Sequence, residues 1–298
     1  MLYGIIQSNA TLYPAAALPE PREKRVSALA DFLADTRSVV VLSGAGVSTA
    51  SGIPDYRDRD GQWKHAQPIQ FGPFVRGEDT RRRDWARSYV GWQRFSAARP
   101  NAAHQALAEL EKAVNVDTLI TQNVDGLHAI AGSRNVIELH GELGKVRCLG
   151  CDSTTPRADF QQRLQAENPN WHADVFRYHP DGDAELAEDN YRDFVVPACL
   201  ECGGIIKPDV VMFGETVPKD RVSKAMAAVE RAGALLVIGS SLMVFSGFRF
   251  ARLAAAAKIP IAIINQGRTR ADDIASLKVD DDCATVLGTA LELLTAPT

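Results

Sequence analysis

Four of the five cysteines in this 298-residue chain stand in two pairs whose spacing is typical of a metal site. Each pair has the form Cys-x-x-Cys, and about 47 residues separate the pairs. Four thiolates form a closed tetrahedral zinc site that leaves no open position for a substrate. Two such pairs argue against a redox-active dithiol, so we predict a structural zinc ion that is not the catalyst. The predicted ligands are Cys148, Cys151, Cys199 and Cys202.

Polar residues follow four strand-like segments of the chain. The segments Thr121–Asp125, Gly239–Ser241 and Asn265–Gly267 each come directly after an apolar run, and His140 follows a fourth. Ligands of open parallel sheets bind at the carboxyl ends of the strands, where these residues would meet. An imidazole with a pKa near 6.5 suits a general base at neutral pH, so we predict that His140 is the catalytic base. The other five histidines are interpreted as structural.

A glycine-rich loop follows the first predicted strand. The loop reads Gly44-Ala45-Gly46-Val47-Ser48, and Thr49 stands where the usual dinucleotide fingerprint has a third glycine. Glycines let backbone N–H groups approach a pyrophosphate, and a helix entered from the loop would add about 0.3–1 kcal/mol for an anion. A tight βα turn without a ligand explains the loop equally well. Asp55 and Arg57, just beyond it, suit a nucleotide better, although a surface ion pair is the alternative.

The elements that must position these residues alternate between strands and helices. This order predicts an α/β fold, a Rossmann-type parallel sheet domain with a smaller inserted zinc-binding module. The predicted strands are Ser38–Leu42, Asp117–Thr121, Val136–Leu139, Leu235–Gly239 and Pro260–Asn265. The predicted helices are Val26–Leu33, His104–Lys112, Ser223–Ala232 and Gly247–Ala257, with Asn101 as the N-cap of the second.

Two segments interrupt the alternation and define the expected domains. Residues 53–100 are rich in Arg, Trp and Tyr and would form loops and helices, and residues 141–207 carry the cysteines. We expect these two segments to form the small domain. Residues 1–52, 101–140 and 208–298 would form the large Rossmann-type domain.

The composition excludes several classes of function. The net charge of −4 and pI of about 5.9 provide no basic field for nucleic acid. The cluster Arg81-Arg82-Arg83 is interpreted as a solvated helix face. Residues 1–21 lack the pattern of a secretory signal, and no apolar run is long enough to span a membrane. We therefore expect a cytoplasmic protein, and we expect it to be monomeric.

Read together, these motifs resemble the sirtuin family. They occur in the family's order and cover about residues 25–295. The segment Trp85–Trp92 and the long spacer between the cysteine pairs look like the class II branch, which includes a mitochondrial lipoamidase-like member. The matching blocks are Gly44–Arg57, Thr121–His128, Leu139–Gly141, Lys207–Glu215, Gly239–Leu242, the Asn265–Gly267 turn and both cysteine pairs.

The resemblance implies that NAD is a consumed co-substrate, and it implies a role for each matching residue. His140 would be the base acting on the nicotinamide ribose, and Asn123 and Asp125 would surround the nicotinamide. Cys283, which has no partner cysteine, is either buried filler or a residue beside the nucleotide. The full set of implied cofactor-binding residues is Gly44, Ala45, Gly46, Ser48, Asp55, Tyr56, Arg57, Gln122, Asn123, Asp125, His140, Gly239, Ser240, Ser241, Asn265, Gln266, Gly267 and Cys283.

The chemistry that the resemblance implies is removal of an acyl group from a protein lysine. The acyl oxygen attacks the anomeric carbon as nicotinamide leaves, His140 activates a ribose hydroxyl, and the acyl group ends on ADP-ribose. The protein or peptide substrate would add as a strand, with apolar side chains lining the lysine tunnel. The expected substrate-binding residues are Val211, Met212, Phe213, Gly214 and Val244.

The acyl preference and two other functions stay open. A Tyr-x-x-Arg pair that would recognise acidic acyl groups is not evident, although Tyr89 and nearby arginines could mimic one. The same fold could transfer ADP-ribose to protein, or could sense NAD or ADP-ribose without catalysis. The combination of His140, Asn123 and Asp125 argues against the sensing module. A hydride-transferring dehydrogenase is disfavoured because the ordinary fingerprint is absent.

Overall fold

The computed structural model describes residues 21–64, 68–187 and 191–296. The secretory-signal prediction for residues 1–21 therefore falls almost entirely outside the described part, as does His65. The helices are α1 Arg22–Ala34, α2 Phe71–Arg76, α3 Glu78–Ala97, α4 Ala102–Ala113, α5 Leu127–Ala131, α6 Arg157–Glu167, α7 Lys219–Arg231, α8 Phe245–Ala256 and α9 Cys283–Thr295. The strands are β1 Val39–Ser43, β2 Val116–Thr121, β3 Val136–Glu138, β4 Gly141–Cys148, β5 Thr154–Pro156, β6 Val175–Tyr178, β7 Ala184–Leu186, β8 Ile206–Val210, β9 Ala234–Ile238, β10 Ile261–Ile264 and β11 Leu277–Val279.

A six-stranded parallel sheet organises the larger part of the molecule. Its strand order is β11-β10-β9-β1-β2-β3, and every neighbouring pair is parallel. The strands β2 and β3 lie on one side of β1, and the later strands β9, β10 and β11 lie on its other side. This reversal between β1 and β9 is the switch point at which open α/β sheets bind ligands. The predicted α/β fold with a Rossmann-type parallel sheet is confirmed.

Both faces of this sheet are covered, which explains why the strands read as continuous apolar runs. Val39 and Val41 point into a core formed with α1, α4 and α9, whereas Val40 and Leu42 point into a second core formed with α7 and α8. All four side chains are at most 1% exposed. Successive residues of a strand face opposite sides, so one short segment anchors two helical layers.

Two smaller sheets lie in the segments that interrupt the alternation. The antiparallel order β5-β4-β8 brings the first cysteine pair beside the second, and β6 pairs with β7 as a separate hairpin. A third core cluster joins α3 and α6 to these strands, with Trp85 and Phe160 fully buried at its centre. The Trp85 indole donates a hydrogen bond to the Ile206 carbonyl of β8 at 3.1 Å, which ties α3 to the cysteine-bearing sheet.

The predicted strands and helices of the large sheet are confirmed within about four residues at each end. Asn101 caps α4 as predicted, since its side chain accepts from the Ala103 N–H and His104 closes the capping box. Arg82 of the predicted basic helix face lies on α3, where it pairs with Glu78 and Asp79. Among the described residues, none of the helices combines the length and apolar character that crossing a bilayer requires.

The segment after β1 differs from the prediction. The glycine-rich loop does not enter an α-helix but continues as two 3-10 turns, 45–47 and 49–51. Gly52, with φ of +84°, ends the second turn, and Pro54 follows two residues later. A left-handed residue followed closely by a proline prevents a helix from propagating. The helix-dipole contribution expected at this loop is therefore wrong, and anion binding here would depend on backbone N–H groups alone.

Candidate active site

A cavity of about 510 Å³ opens at the carboxyl ends of the parallel strands. Residues that directly follow β1, β2, β3, β9 and β10 line it, as expected of a ligand site in an open α/β sheet. The cavity is lined by every residue predicted for the catalytic, cofactor and substrate sites, with the exceptions of Gly267 and Cys283. The sequence-based grouping of these residues thus corresponds to one space in the structure.

The glycine-rich loop packs closely against the turn after β9. A Cβ at Gly44 would lie 2.7 Å from the Ser240 Cβ, and one at Gly46 would lie 2.9 Å from the Gly239 Cα. Neighbouring backbone cannot move away at such distances, so both positions require glycine. The Gly46 N–H is bonded to the Gly239 carbonyl at 2.8 Å, which fixes the loop at the edge of the cavity. The two loops together form the floor of the crevice.

His140 is held by a hydrogen bond at each ring nitrogen. Its Nδ1 lies 2.9 Å from the Gln122 carbonyl oxygen, and its Nε2 lies 2.8 Å from the Ser246 hydroxyl. A carbonyl only accepts, so Nδ1 carries the proton and Nε2 is the basic nitrogen. Burial lowers the pKa of His140 from its ordinary value; Gln122 raises it, and the nearby charges of Arg221 and Arg249 lower it further. The imidazole is therefore neutral at pH 7, as a proton acceptor must be.

Asp125 lies at the end of a chain of hydrogen bonds through Ser48. The Ser48 hydroxyl donates to Asp125 Oδ2 at 2.7 Å and accepts from the Asn123 amide at 3.0 Å. The Leu127 N–H donates to Asp125 Oδ1 at 2.9 Å. With a donor on each oxygen, this carboxylate is fixed in orientation while it still lines the cavity. Asn123 is only 8% exposed, so the network forms the inner wall of the site.

Two histidines that the sequence analysis treated as structural lie directly behind this wall. His104 Nδ1 accepts from the Asn101 N–H, so its Nε2 donates towards the Ser48 hydroxyl at 3.4 Å. His128 Nε2 bonds the Ser43 hydroxyl at 2.8 Å, and the two imidazole centroids are 4.9 Å apart. Their sequence positions gave no sign of this, because the contacts join residues more than 50 positions apart. They support the site without lining it.

The opposite wall is aromatic and charged. Tyr56, Trp63 and Phe213 form an edge-to-face cluster with ring centroids 5.7 to 6.1 Å apart. The Arg57 guanidinium lies 4.1 Å from the centre of the Trp63 ring and donates to the Gly61 carbonyl. Asp55 forms an ion pair with Lys64 rather than with Arg57. Asp55 and Arg57 nevertheless both line the cavity. Asp55 is therefore a member of an ion pair and a candidate site residue at the same time.

Three residues named in the sequence analysis lie away from the cavity. Gly267 packs against the Arg59 backbone, where a Cβ would be 2.3 Å from the Arg59 carbonyl oxygen. Cys283 is 7% exposed within the core between the sheet and α9, and its burial raises the pKa of the thiol to about 12. Tyr89 packs between Trp171 and Phe194 in the third core cluster, so it does not reach the acyl-binding space.

The four paired cysteines converge on one point. All four Sγ atoms lie within 4.8 Å of one another, and the Cys148–Cys202 and Cys151–Cys199 separations are 3.5 and 3.7 Å. A tetrahedral zinc ion with Zn–S bonds of about 2.3 Å has sulfur atoms about 3.8 Å apart. The thiols therefore fit a structural zinc ion. The cluster shares no residue with the lining of the cavity, so the metal would not take part in the chemistry there.

A Rossmann-type sheet with a glycine-rich loop at its switch point, a neutral histidine base and a separate four-cysteine metal site define a nucleotide-using α/β enzyme with a zinc module. The Sir2 family model matches residues 44–246, which is more than half of the chain. The chain belongs to the Sir2 family.

Relatives and solved structures agree with this assignment. The chain is 55% identical over 268 residues to an NAD-dependent protein deacetylase of Bordetella bronchiseptica, covering 90% of this chain and 98% of that protein. It is 48% identical over 279 residues to the human mitochondrial NAD-dependent protein lipoamidase sirtuin-4, covering 93% and 88%. A Sir2 structure with a p53 peptide and NAD⁺ is 30% identical with a TM-score of 0.73, covering 90% of this chain and 98% of that one. A Sir2 structure bound to an acetylated peptide gives 29% and 0.72 at the same coverage.

Proposed function

We propose that this protein is an NAD-dependent protein-lysine deacylase, which transfers the acyl group of a modified lysine to ADP-ribose and releases nicotinamide. The observation that carries this proposal is the basic Nε2 of His140 at the crevice beside the glycine-rich loop, in a chain of the Sir2 family. NAD-dependent relatives named as deacetylases and a lipoamidase match over most of the chain. The substrate class is therefore acyl-lysine in a protein or peptide.

His140 would act as the general base. NAD supplies the ribose that accepts the acyl group, and His140 Nε2 would take a proton from one of its hydroxyls. The Gln122 carbonyl keeps the Nδ1 proton in place, so the basic lone pair stays on Nε2. The Ser246 hydroxyl, which now donates to Nε2, would be displaced by the incoming hydroxyl. Proton abstraction of this kind typically contributes about a hundredfold to ten-thousandfold in rate.

The other lining residues divide between the two halves of NAD. Asn123 and Asp125, fixed through Ser48, would bind at the nicotinamide end, where their amide and carboxylate can orient the departing base. The glycine-rich loop and the segment 55–57 would hold the phosphates and the central ribose. The adenosine half would lie against the strand ends after β9 and β10, at Gly239, Ser240, Ser241, Asn265 and Gln266. Gly267 and Cys283, which lie away from the cavity, are not included.

The acyl-lysine peptide would bind between the segment after β8 and the loop before α8. Val211, Met212, Phe213 and Gly214 supply one side and Val244 the other, and all of them line the cavity. The Phe213 carbonyl already accepts from the Phe71 N–H at 2.9 Å, so a substrate strand would pair along the other edge of this segment.

The domain division predicted from the sequence is part of this proposal. We place residues 1–52, 101–140 and 208–298 in the NAD-binding domain and residues 53–100 and 141–207 in the small domain. The zinc ion would stabilise the small domain and take no part in catalysis. We further propose a monomeric, cytoplasmic enzyme that does not bind nucleic acid. The net negative charge supports the absence of nucleic-acid binding. The arrangement of the cysteines as a metal site, which is typical of a reducing compartment, supports the cytoplasmic location.

The decisive experiment replaces the base. His140→Ala should lower the deacylation rate by about a hundredfold or more, because it removes the neutral imidazole that would take the ribose proton. The variant should still bind NAD in a calorimetric titration, since the loops that form the floor of the crevice do not depend on the imidazole. His172→Ala, which removes an exposed histidine, is the matched control.

Two outcomes would overturn the proposal. One is near-normal deacylation by His140→Ala. The other is transfer of labelled ADP-ribose from NAD to protein in the absence of acyl-lysine, which would favour an ADP-ribosyltransferase instead.

A further inference from the structure

Three carboxyl groups line the same cavity as His140. They belong to Asp84 of α3 and to Asp181 and Asp183 in the turn between β6 and β7, and we call them the carboxylate wall. Asp84 is 6% exposed and Asp183 is 8% exposed, so both side chains are more than nine-tenths buried. They reach the same space as the proposed base, from a different part of the fold.

The carboxylate wall has no ionic partner in the described part of the chain. None of the ion pairs there includes Asp84, Asp181 or Asp183. The side-chain oxygens of Asp84 and Asp183 likewise accept no hydrogen bond from a described residue, whereas Asp181 accepts one from the Asp183 N–H at 3.2 Å. Two buried, unpartnered carboxyl groups that line a cavity are oriented for a ligand that the protein itself does not supply.

The cations near the wall are engaged elsewhere. Arg87 donates to the Ala184 carbonyl at 3.0 Å. Arg157 donates to Gln161 and lies over the Trp85 and Trp92 rings, and Lys207 pairs with Glu215 at 3.2 Å. Arg83, also near Asp84, is exposed on the solvent side of α3. These charges reduce the repulsion among the three carboxyl groups but do not neutralise it.

The electrostatics of the wall show that it lacks a positive charge. Burial and, after it, the charge of Asp181 raise the pKa of Asp84 to about 7. Burial also raises the pKa of Asp183 well above its usual range, with Asp181 and Asp84 adding to the effect. Like charges in a poorly solvated site cannot all ionise at once unless a cation joins them. A ligand carrying an ammonium group would supply that cation, whereas a ligand carrying a carboxylate would bring a further negative charge into the site.

The approach to the wall is apolar. Phe95 and Leu143 line the cavity and pack against Gly182, where a Cβ would lie 3.1 Å from Phe95 Cδ2 and 2.8 Å from Leu143 Cδ1. Tyr56 lines the cavity close enough to feel the charges of Asp181 and Asp183. Burial, with the charges of Asp181 and Asp183, raises the pKa of the Tyr56 hydroxyl, so Tyr56 stays neutral. A chain of methylene groups would lie against these surfaces while its far end met the carboxyl groups.

We propose that the carboxylate wall is an acyl-specificity subsite, which favours lysine acyl groups whose far end carries an ammonium group and disfavours dicarboxylic acyl groups. The inference rests on the proposed deacylase function and goes beyond it, because it names the class of acyl group. ω-Aminoacyl-lysine is the predicted preferred substrate. Neutral acyl groups of the same length should fall between the two charged classes.

The test uses acyl-lysine peptides matched in length and differing only at the far end. One set carries hexanoyl, δ-aminovaleryl and glutaryl groups, and a shorter set carries butyryl, β-alanyl and malonyl groups. We expect the wild-type enzyme to favour the ammonium-ended over the carboxylate-ended peptide by at least about tenfold in kcat/KM at one or both lengths. Equal or better turnover of the carboxylate-ended peptides at both lengths would overturn the proposal.

Variants show whether the wall causes the preference. Asp84→Asn and Asp183→Asn, singly and together, should reduce the preference to within about threefold, since the amides keep the shape and remove the charge. The preference is a ratio measured within one enzyme, so a general loss of activity does not affect it. Asp79→Asn, on the exposed side of α3, is the matched control and should keep the full preference. A preference that survives in the double variant would overturn the proposal.

Failure of this proposal can be told apart from failure of the deacylase assignment. If acetyl-lysine and all of the acyl peptides give no nicotinamide release, the proposed function itself is wrong. If neutral acyl peptides are turned over without any charge preference, only the specificity subsite is wrong.

Discussion

At the scale of single residues, His140 combines three properties that a base requires. The Gln122 carbonyl fixes the tautomer, the Nε2 atom faces the cavity, and burial lowers the pKa. The ordinary imidazole value of 6.5 would leave a fraction of the rings protonated at neutral pH. The lowered value keeps the basic form dominant there. These properties make the pH dependence of the reaction a direct test of the environment of this one ring.

The first prediction concerns the acid limb of the pH profile. A lowered pKa means that His140 stays unprotonated down to a pH below 6.5, so kcat/KM should begin to fall only below that value. Arg221 donates to the Leu139 carbonyl and is one of the two positive charges that lower the pKa. Arg221→Gln should therefore raise the pKa and move the acid limb to higher pH. Steady-state rates from pH 5 to 8 would locate the acid limb of the wild type and that of the variant.

Arg252→Gln, at an exposed position of α8, is the matched control and should leave the limb in place. A limb that stays fixed in Arg221→Gln, or that lies above pH 7 in the wild type, would show that another group controls the acid side.

The sequence predicted most of the residues at the site but not how they are held. Strand-end positions are visible in the sequence, because an apolar run ends in polar residues, and this located His140, Asn123 and Asp125. The supports His104 and His128 lie on α4 and α5 and meet the site only through tertiary packing. A lone histidine in a helix gives no signal of that kind. The carboxylate wall was missed for the same reason, since about 97 residues separate Asp84 from Asp181.

At the scale of elements, the cysteine-bearing sheet depends on its metal. The strands β5 and β8 have only three and five residues, and each cysteine pair lies at a turn whose position a shared metal would fix. Zinc binding by four thiolates supplies on the order of 10 kcal/mol to such a module. Cys148→Ser should therefore lose the zinc and unfold this sheet, which proteolysis within residues 141–207 would detect.

Cys283→Ser is the matched control for metal content, because Cys283 lies in the other core and should not affect zinc binding. A Cys148→Ser protein that keeps a full equivalent of zinc by elemental analysis would contradict the assignment.

A second prediction at this scale concerns the contact between α3 and the β6–β7 turn. A Cβ at Gly91 would lie 2.1 Å from the Gly182 carbonyl oxygen and 2.9 Å from the Asp183 carbonyl carbon. Gly91→Ala should push this turn away and lower the free energy of unfolding by about 1–3 kcal/mol. Gly288→Ala, in α9, meets no atom within 4 Å and should instead stabilise by about 0.5–1 kcal/mol. Urea unfolding of both variants would measure the two changes in the free energy of unfolding. Changes of the same sign would contradict the packing argument.

The elements show where sequence patterns are informative. The central strands β1, β9 and β10 were predicted because burial on both faces produces apolar runs. The half-buried edge strand β3 was predicted as part of the mostly apolar run Val136–Leu139. The edge strand β11 was missed because it is three residues long and includes a lysine, and α9 was not assigned. The loop after β1 was expected to enter a helix, but it forms two 3-10 turns, and Gly52 and Pro54 follow the second before a helix can form. Short or edge elements depend on their neighbours more than on their own residues.

At the scale of the whole molecule, the site and the stability of the fold share one buried network. His128 lies between the inner wall of the cavity and the core, 2% exposed, with no hydrogen-bond partner for Nδ1 among the described residues. Burial and, after it, the nearby His104 lower the pKa of His128 to about 3. A proton on this ring would place an uncompensated charge in the interior. In the unfolded chain this imidazole is in water and can be protonated without that cost. Acid therefore favours the unfolded state by protonating His128.

The pH dependence of stability should therefore change when His128 is replaced. In the unfolded chain the imidazole titrates near 6.5, whereas in the folded chain it stays neutral down to a pH of about 3. The stabilising contribution is fully present above pH 6.5 and is lost progressively as the pH falls towards 3, and the loss at pH 5 is about 2 kcal/mol.

Urea unfolding of the wild type at pH 5, 6 and 7 should show this loss, and His128→Gln should show correspondingly less of it. His172→Gln, at an exposed position, should keep the wild-type slope. Loss of zinc at low pH would affect all three proteins alike, so identical slopes for His128→Gln and the wild type would show that the buried imidazole does not link acidity to unfolding.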